Sequence, residues 1–187
     1  MDVTKRDRRV QYTIMVLKDA LVESMKTEHI SKISVKSLCA IADINRSTFY
    51  AHFTDQYALL HFIEQEVLDN IRHSLEAQSF HDKRPISFQV LHHILDYVHD
   101  NAELFKALLS DNCDLRIQRE IMNLSQVISF QLNEKYDERV QEYLSVYGTI
   151  GCIALLQKWL QDGTPEPTEQ IADYILQMLY SGMSSFE

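Results

Sequence analysis

Three observations predict an all-α fold. Glycine and proline are scarce, 4 and 3 of 187 residues, so little in the chain interrupts regular structure. Leu, Ile, Gln, Glu and Lys are frequent, a composition that favours helices over sheets. Apolar residues recur at helical spacing in one segment after another, and no segment alternates as a strand would. The chain is 45% hydrophobic and 24% charged, the balance of a globular protein and too apolar for a disordered one.

The elements follow in order. Val10, Ile14, Leu17, Leu21 and Met25 form one face of a helix from about Arg6 to Lys26. "TEHISKIS" breaks it, and Ser34 is placed to cap a short second helix whose apolar residues are Val35, Leu38, Cys39 and Ile41. "ADI" is a turn in which Asp43 can take a positive φ. A third short helix starts near Asn45. Asp55 can cap a long fourth, with Leu59 or Leu60, Ile63, Val67, Ile71 and Leu75 on its apolar face. The gap of about three residues between the second and third helices is that of a helix-turn-helix.

Beyond it, "SFHDKRP" reads as a loop ending in Pro85, and Phe88, Leu91, Ile94, Leu95 and Val98 as a helical face. "AELFKALL" is a short apolar helix and "SDNCD" a turn. Helices are expected from about Leu115 to Glu134 and from about Asp137 to Gln161. "DGTPEPTE" is a turn, and Ile171, Ile175 and Leu179 mark a last helix. The expected organisation is an N-terminal helix-turn-helix domain, 1–68, and a C-terminal helical domain, 69–187.

The acidity of the chain, net −9, is uneven. Residues 1–53 hold nine basic and six acidic side chains, a balance of +3, and residues 54–187 hold nine and twenty-one, a balance of −12. A basic head on an acidic body suits a head that meets an anion. Within the head, "INRSTFYAHF" has the residue types a helix needs in a DNA major groove. Asn45, Arg46, Ser47 and Thr48 keep the first turn free of bulky apolar groups. Arg46 can pair with guanine O6 and N7; Ser47 and Thr48 can reach a base edge or a phosphate. Tyr50 and His52 suit phosphate contacts, which set register without reading sequence. Phe49 and Phe53 suit anchoring to a small core. Ser34 and Lys36 at the preceding helix join the set expected at the DNA, and Lys5, Arg6, Arg8 and Arg9 add diffuse attraction. The alternative is a polar helix on an ordinary bundle.

Other chemistries find little support. Cys39, Cys113 and Cys152 are far apart and odd in number, which fits buried thiols better than a disulfide framework or a zinc knuckle. No H-x-x-x-H, H-E-x-x-H, G-x-S-x-G, P-loop or G-x-G-x-x-G occurs, so no metal, cofactor or catalytic residues are expected and the chain reads as no enzyme. No apolar run approaches a membrane span, and the charged N-terminus lacks a secretory core. The expected location is the cytoplasm.

"SVKSLCAIADINRSTFYAHFTDQYALL" resembles the tetracycline-repressor-like family of regulators (TetR/AcrR), chiefly in "TFY" followed closely by "HF", a capped turn and a leucine. The resemblance covers roughly the first 60 residues. Asp43 stands where the family usually has Gly, Ser47 where it often has Gly or Ala, and Gln56 where Lys is common and helps hold a phosphate, so the resemblance implies a DNA contact for Gln56 with one charge fewer. The family's glycine near the end of the first helix is absent. "ILDYVHDNAELFKALLSD" and "YGTIGCIALLQKWLQDG" resemble the C-terminal domain type of regulators similar to the dihydroxyacetone-kinase activator, over roughly Ser87 to Met183.

The resemblance implies a DNA-binding transcriptional regulator, expected to be a repressor, that meets a palindromic double-stranded operator as a homodimer. The last two long helices would pair across the dimer. Gly148 and Gly151 would permit close approach, and Tyr143, Tyr147, Ile150, Leu155, Trp159, Ile175 and Leu179 would supply apolar surface, unless they fill the core of one subunit. A small-molecule effector or a partner protein would gate binding. Ligand-lining candidates are His93, Tyr97, Phe105, Tyr147 and Trp159, with His92 and Cys113 behind them and core packing as the alternative for each. Adjacent His92 and His93 cannot readily share one pocket. A rival reading is an interaction protein or co-activator of the same fold, with weakened DNA readout.

Overall fold

The computed structural model describes residues 3–76, 88–113, 120 and 137–183. Among them are eight α-helices, one 3-10 turn and no strand. The expected loop at "SFHDKRP" and the helix from Leu115 to Glu134 lie outside the described residues, apart from helical Glu120. Two compact units are present: Met1–Val67 with Ala107–Asp114, and Leu68–Lys106 with Leu115–Glu187.

The first unit opens with α1, Val3–Met25. It begins a turn earlier than its apolar spacing predicts, because "TKRDRR" contains no helix breaker. Leu17, Ala20, Leu21 and Met25 are buried. The break after it is more than a loop. Ile30–Lys32 form a 3-10 turn, and Ile30 and Ile33 belong to the core. α2, Val35–Ile41, starts in a capping box: Ser34 Oγ accepts from Ser37 N and Ser37 Oγ accepts from Ser34 N. α3, Arg46–Tyr50, lies against α2 and buries Phe49. α4, Gln56–Glu76, is capped by Asp55, whose Oδ1 accepts from Ala58 N at 2.8 Å. Leu59, Leu60, Ile63 and Val67 are the buried apolar residues of its first half, and Lys18 Nζ meets Glu66 Oε1 at 2.7 Å to tie α1 to α4.

Ile41 departs from expectation. It is exposed, whereas Leu38 and Cys39 are buried. At about 100° per residue, Ile41 sits roughly 200° from Cys39 around the helix. The chain then turns so that Ile44 N donates to Cys39 O at 3.0 Å, and half-buried Ile44 closes that end of α2 instead.

In the second unit, α5, Phe88–Asp100, lies against α8, Thr168–Met183. α6, Ala102–Leu108, whose last two residues belong to the first unit, follows α5 after one residue, and α7, Glu138–Gln161, starts at its cap Asp137. Leu95, Val98, Phe105, Trp159, Leu160, Ile171, Ala172, Ile175 and Leu179 build the core, with Leu68, Ile71 and Leu75 from the second half of α4. One polar joint ties α5 to α8. Thr168 Oγ1 donates to Asp96 Oδ1 at 2.6 Å, which leaves its oxygen to accept from His92 Nε2 at 3.1 Å. α7 ends in a Schellman motif at Gly163 (φ 85), with Gly163 N bonded to Leu160 O and Thr164 N to Trp159 O. The turn at "DGTPEPTE" is as expected. That Thr164 also takes a positive φ, 55, is not evident from a β-branched side chain.

Candidate nucleic-acid interface

The candidate interface is built on α2, the turn after it and α3. The turn is a Schellman-type cap with Asp43 at its left-handed position, φ 52. An aspartate tolerates that conformation better than most residues but not as well as glycine. Asp43→Gly is therefore expected to stabilise the chain by about 0.5–1 kcal/mol, after allowing for the larger entropy glycine has when unfolded. Urea unfolding followed by circular dichroism measures this. A loss of stability would show instead that the Asp43 side chain holds the turn.

α3 is pinned from beneath. Phe49 has no exposed surface, and its ring lies 5.7 Å from Tyr50 and 5.9 Å from Phe53 between centroids. Phe53 in turn stacks edge-on against Phe62 of α4 at 5.6 Å. This aromatic chain fixes the helix, while Asn45, Arg46 and Ser47 are exposed and Thr48 is half-buried. Asn45 caps α3 with its main chain alone: its carbonyl accepts from Thr48 N and Phe49 N, and its side chain makes no capping bond. The amide therefore stays available at the surface beside the Arg46 guanidinium. That guanidinium also acts on Cys39. Burial raises the thiol's pKa, and the Arg46 charge offsets part of the rise.

The flanking residues differ in their freedom. Lys36, Tyr50 and His52 are exposed, and Gln56 is half-buried in the first turn of α4. Ser34 is exposed but engaged in its cap. Because Ser37 Oγ donates to Ser34 O at 2.8 Å, the Ser34 hydroxyl keeps its own proton for Ser37 Oγ, 3.1 Å away, or for an outside acceptor. Tyr57, exposed beside Gln56, is a further candidate that sequence spacing did not single out.

The ligand-lining candidates fall in different settings. Tyr97 and Phe105 meet edge-on at 5.7 Å, and the Tyr97 hydroxyl accepts from Asn70 Nδ2 at 3.0 Å. Trp159 is buried, its Nε1 donating to Glu166 O at 3.0 Å and its ring 6.0 Å from His99. His93 is exposed and Tyr147 is 79% exposed. Of the adjacent histidines, His92 is the one engaged, in the joint with Thr168, and Cys113 belongs to the first unit. Burial pushes the half-buried Cys152 thiol up to about 11, so it is protonated at neutral pH and a poor nucleophile. Among the described residues no cluster of three or more His, Cys, Asp and Glu is arranged to hold a metal, and no helix is long and apolar enough to cross a membrane.

Comparison with known proteins bears on the whole chain. Residues 87–181 match the family model TetR_C_8, the transcriptional regulator C-terminal region. An uncharacterised HTH-type transcriptional regulator of Bacillus subtilis (strain 168), YxbF, is 18% identical over 166 residues, 87% of this chain and 43% of that protein. This chain thus spans less than half the length of that relative. Among solved structures, a TetR transcriptional regulator from Streptococcus agalactiae 2603V shares the fold with a TM-score of 0.64 and 22% identity, over 95% of this chain and 99% of that one. The dihydroxyacetone kinase operon activator DhaS does so with a TM-score of 0.60 and 19% identity, over 94% and 98%. The transcriptional regulator FadR from Bacillus subtilis, in complex with stearoyl-CoA, does so with a TM-score of 0.65 and 16% identity, over 90% and 98%. Its all-α architecture agrees with these folds, and by the family model spanning half its length the chain belongs to the TetR family of transcriptional regulators.

Proposed function

We propose that this regulator is a DNA-binding repressor that grips a palindromic double-stranded operator as a homodimer, in the cytoplasm, and that its C-terminal domain gates the grip. The observation that carries the reading is the exposed start of α3. Asn45, Arg46 and Ser47 stand at the surface on a helix locked by Phe49, with the Asn45 amide uncommitted. An arginine suits guanine O6 and N7, and an asparagine amide suits adenine N6 and N7. Thr48 adds a hydroxyl and a methyl. Ser34, Lys36, Tyr50, His52 and Gln56 hold the phosphates and set the register. The effector is a small molecule or a partner protein that favours one separation of the two heads, and only one separation fits successive major grooves. FadR binds stearoyl-CoA and DhaS activates an operon, so both a ligand and a positive sign have precedent in this fold.

The test is a mobility-shift selection from a random duplex pool, repeated at several salt concentrations. Arg46→Ala is expected to relax preference at one base position by about 1–3 kcal/mol. Lys36→Ala is expected to weaken binding to all sequences alike and to lower the salt slope by about 1. If Arg46→Ala leaves affinity and preference intact, α3 is not the reading helix. Absence of salt-sensitive binding to any duplex favours the second reading, an interaction protein or co-activator acting through a protein partner. The uncharged Gln56 in the first turn of α4 and the −12 balance of residues 54–187 favour that alternative.

A further inference from the structure

Phe62 lies at the edge of the buried face of α4. Leu59, Leu60 and Ile63 beside it are 0%, 0% and 1% exposed, whereas Phe62 is 39% exposed. At about 100° per residue it stands about 60° from Leu59 around the helix. Its ring reaches to Phe53, edge-on at 5.6 Å between centroids. Phe53 is itself buried and is the junction of three ring contacts: Phe62 of α4, Phe49 of α3 at 5.9 Å, and His52 at 6.4 Å.

α3 depends on such contacts because it cannot hold itself. It has five residues, Arg46–Tyr50, well short of the length at which a helix persists alone, and no side chain caps its start. Its end is closed by the main chain, where His52 N and Phe53 N both donate to Phe49 O at 2.9 Å. Phe49 thus supplies both the ring beneath α3 and the carbonyl on which the chain turns towards α4. α2 packs against α3, and the rings from Phe49 through Phe53 to Phe62 tie it to α4. A shift of Phe53 therefore reaches both the helix that carries Arg46 and the ring of His52. Edge-on aromatic pairs hold a preferred angle, which an aliphatic side chain in the same place does not impose. Groups that read base edges need that constraint, since a binding site must be held to about 0.5 Å and 10–20°. All of these residues lie within the first unit.

We propose that Phe62 is a positioning residue for the reading helix, acting through Phe53 to hold Arg46 and His52 at the duplex without touching it. This role rests on the DNA-binding reading above. It differs from that of a phosphate contact, whose loss lowers the salt slope, and from that of a core residue, whose loss lowers stability and weakens binding to every duplex alike.

The experiment compares Phe62→Ala, Phe62→Leu and Phe62→Tyr in the full chain. In the free protein the Phe53 ring current helps to set the ring-proton resonances of His52. They are expected to move in Phe62→Ala and Phe62→Leu and to stay in place in Phe62→Tyr. Binding is then measured for a duplex that the wild type selects from a random pool and for an unrelated duplex. Phe62→Ala and Phe62→Leu are expected to lose about tenfold in affinity for the selected duplex. The unrelated duplex should lose no more than about twofold, with an unchanged salt slope. Phe62→Tyr, which keeps the ring, should retain the wild-type preference. Should Phe62→Ala lose helical content, Phe62→Leu, which keeps apolar bulk, carries the comparison. His52 resonances that stay in place in Phe62→Leu overturn the proposal, as does a wild-type preference in that variant. An equal loss for both duplexes with a lowered melting temperature also overturns it, making Phe62 a core residue, and so does a lost preference in Phe62→Tyr. A wild type without salt-sensitive binding to any duplex overturns the DNA-binding reading itself, while the His52 resonances still report whether Phe62 holds Phe53.

Discussion

Tyr147→Glu or Ile150→Glu is expected to leave a folded monomer with little operator binding. On α7 the apolar side chains of Val140, Tyr143, Val146, Tyr147 and Ile150 are exposed, and on α8 so are Tyr174 and Met178. Val140, Tyr143, Tyr147 and Ile150 fall at i, i+3, i+7 and i+10, the spacing of a seam between helices. Each is exposed in the single chain, so a charge there should cost that chain little. In a twofold dimer the same charge enters the interface twice. Desolvating it should weaken dimerisation by at least about 100-fold, about 2.7 kcal/mol. Separated heads then lose the effective concentration that links two half-sites, a factor of about 10²–10⁴ in operator affinity. Sedimentation velocity and mobility shift give the two readouts. Gly151→Ala sharpens the first. In the single chain a methyl there meets nothing within 4 Å and should gain about 1 kcal/mol of helix propensity. A weaker dimer from that substitution would mark a close helix crossing. Variants that remain dimeric at micromolar concentration would remove this stripe as the interface.

Phe49→Ala is expected to destabilise the chain by about 3–5 kcal/mol, a large share of the roughly 5–15 kcal/mol that holds an ordinary domain together. Phe49 is fully buried and stacks on Phe53, so its loss leaves a cavity where α3 is pinned. The neighbouring aromatic behaves differently. Tyr50 is exposed, and Tyr50→Ala should change stability by less than about 0.5 kcal/mol apart from its edge contact with Phe49, yet weaken duplex binding. Urea unfolding by circular dichroism reports the first effect. Fluorescence of Trp159, the chain's single tryptophan, reports the second unit separately and should shift less. Equal destabilisation by both substitutions would mean that Tyr50 is part of the core and not a phosphate contact.

What the sequence determined by itself lies within a few residues of its cause. Ser34 and Asp55 cap helices because each side chain reaches an amide three residues on. Asp43 and Gly163 mark left-handed turns because few residues adopt that conformation. The periodic apolar faces of α1, α4, α5 and α8 needed nothing beyond the geometry of a helix. The helix-turn-helix, and with it the candidate residues on α2 and α3, was legible for the same reason. Only the tertiary structure decided which apolar residues are core. Trp159 and Tyr147 share α7, and one is 3% and the other 79% exposed, a difference set by what lies alongside and not by either side chain. It likewise sent Ile41 to the surface and Ile30 and Ile33 inward. The hydrogen bonds from Asn112 Nδ2 to Met25 O and from Thr168 Oγ1 to Asp96 Oδ1 join residues 87 and 72 positions apart. Contacts of that span leave no periodic trace in a sequence, because they depend on how distant helices come together rather than on how each one forms.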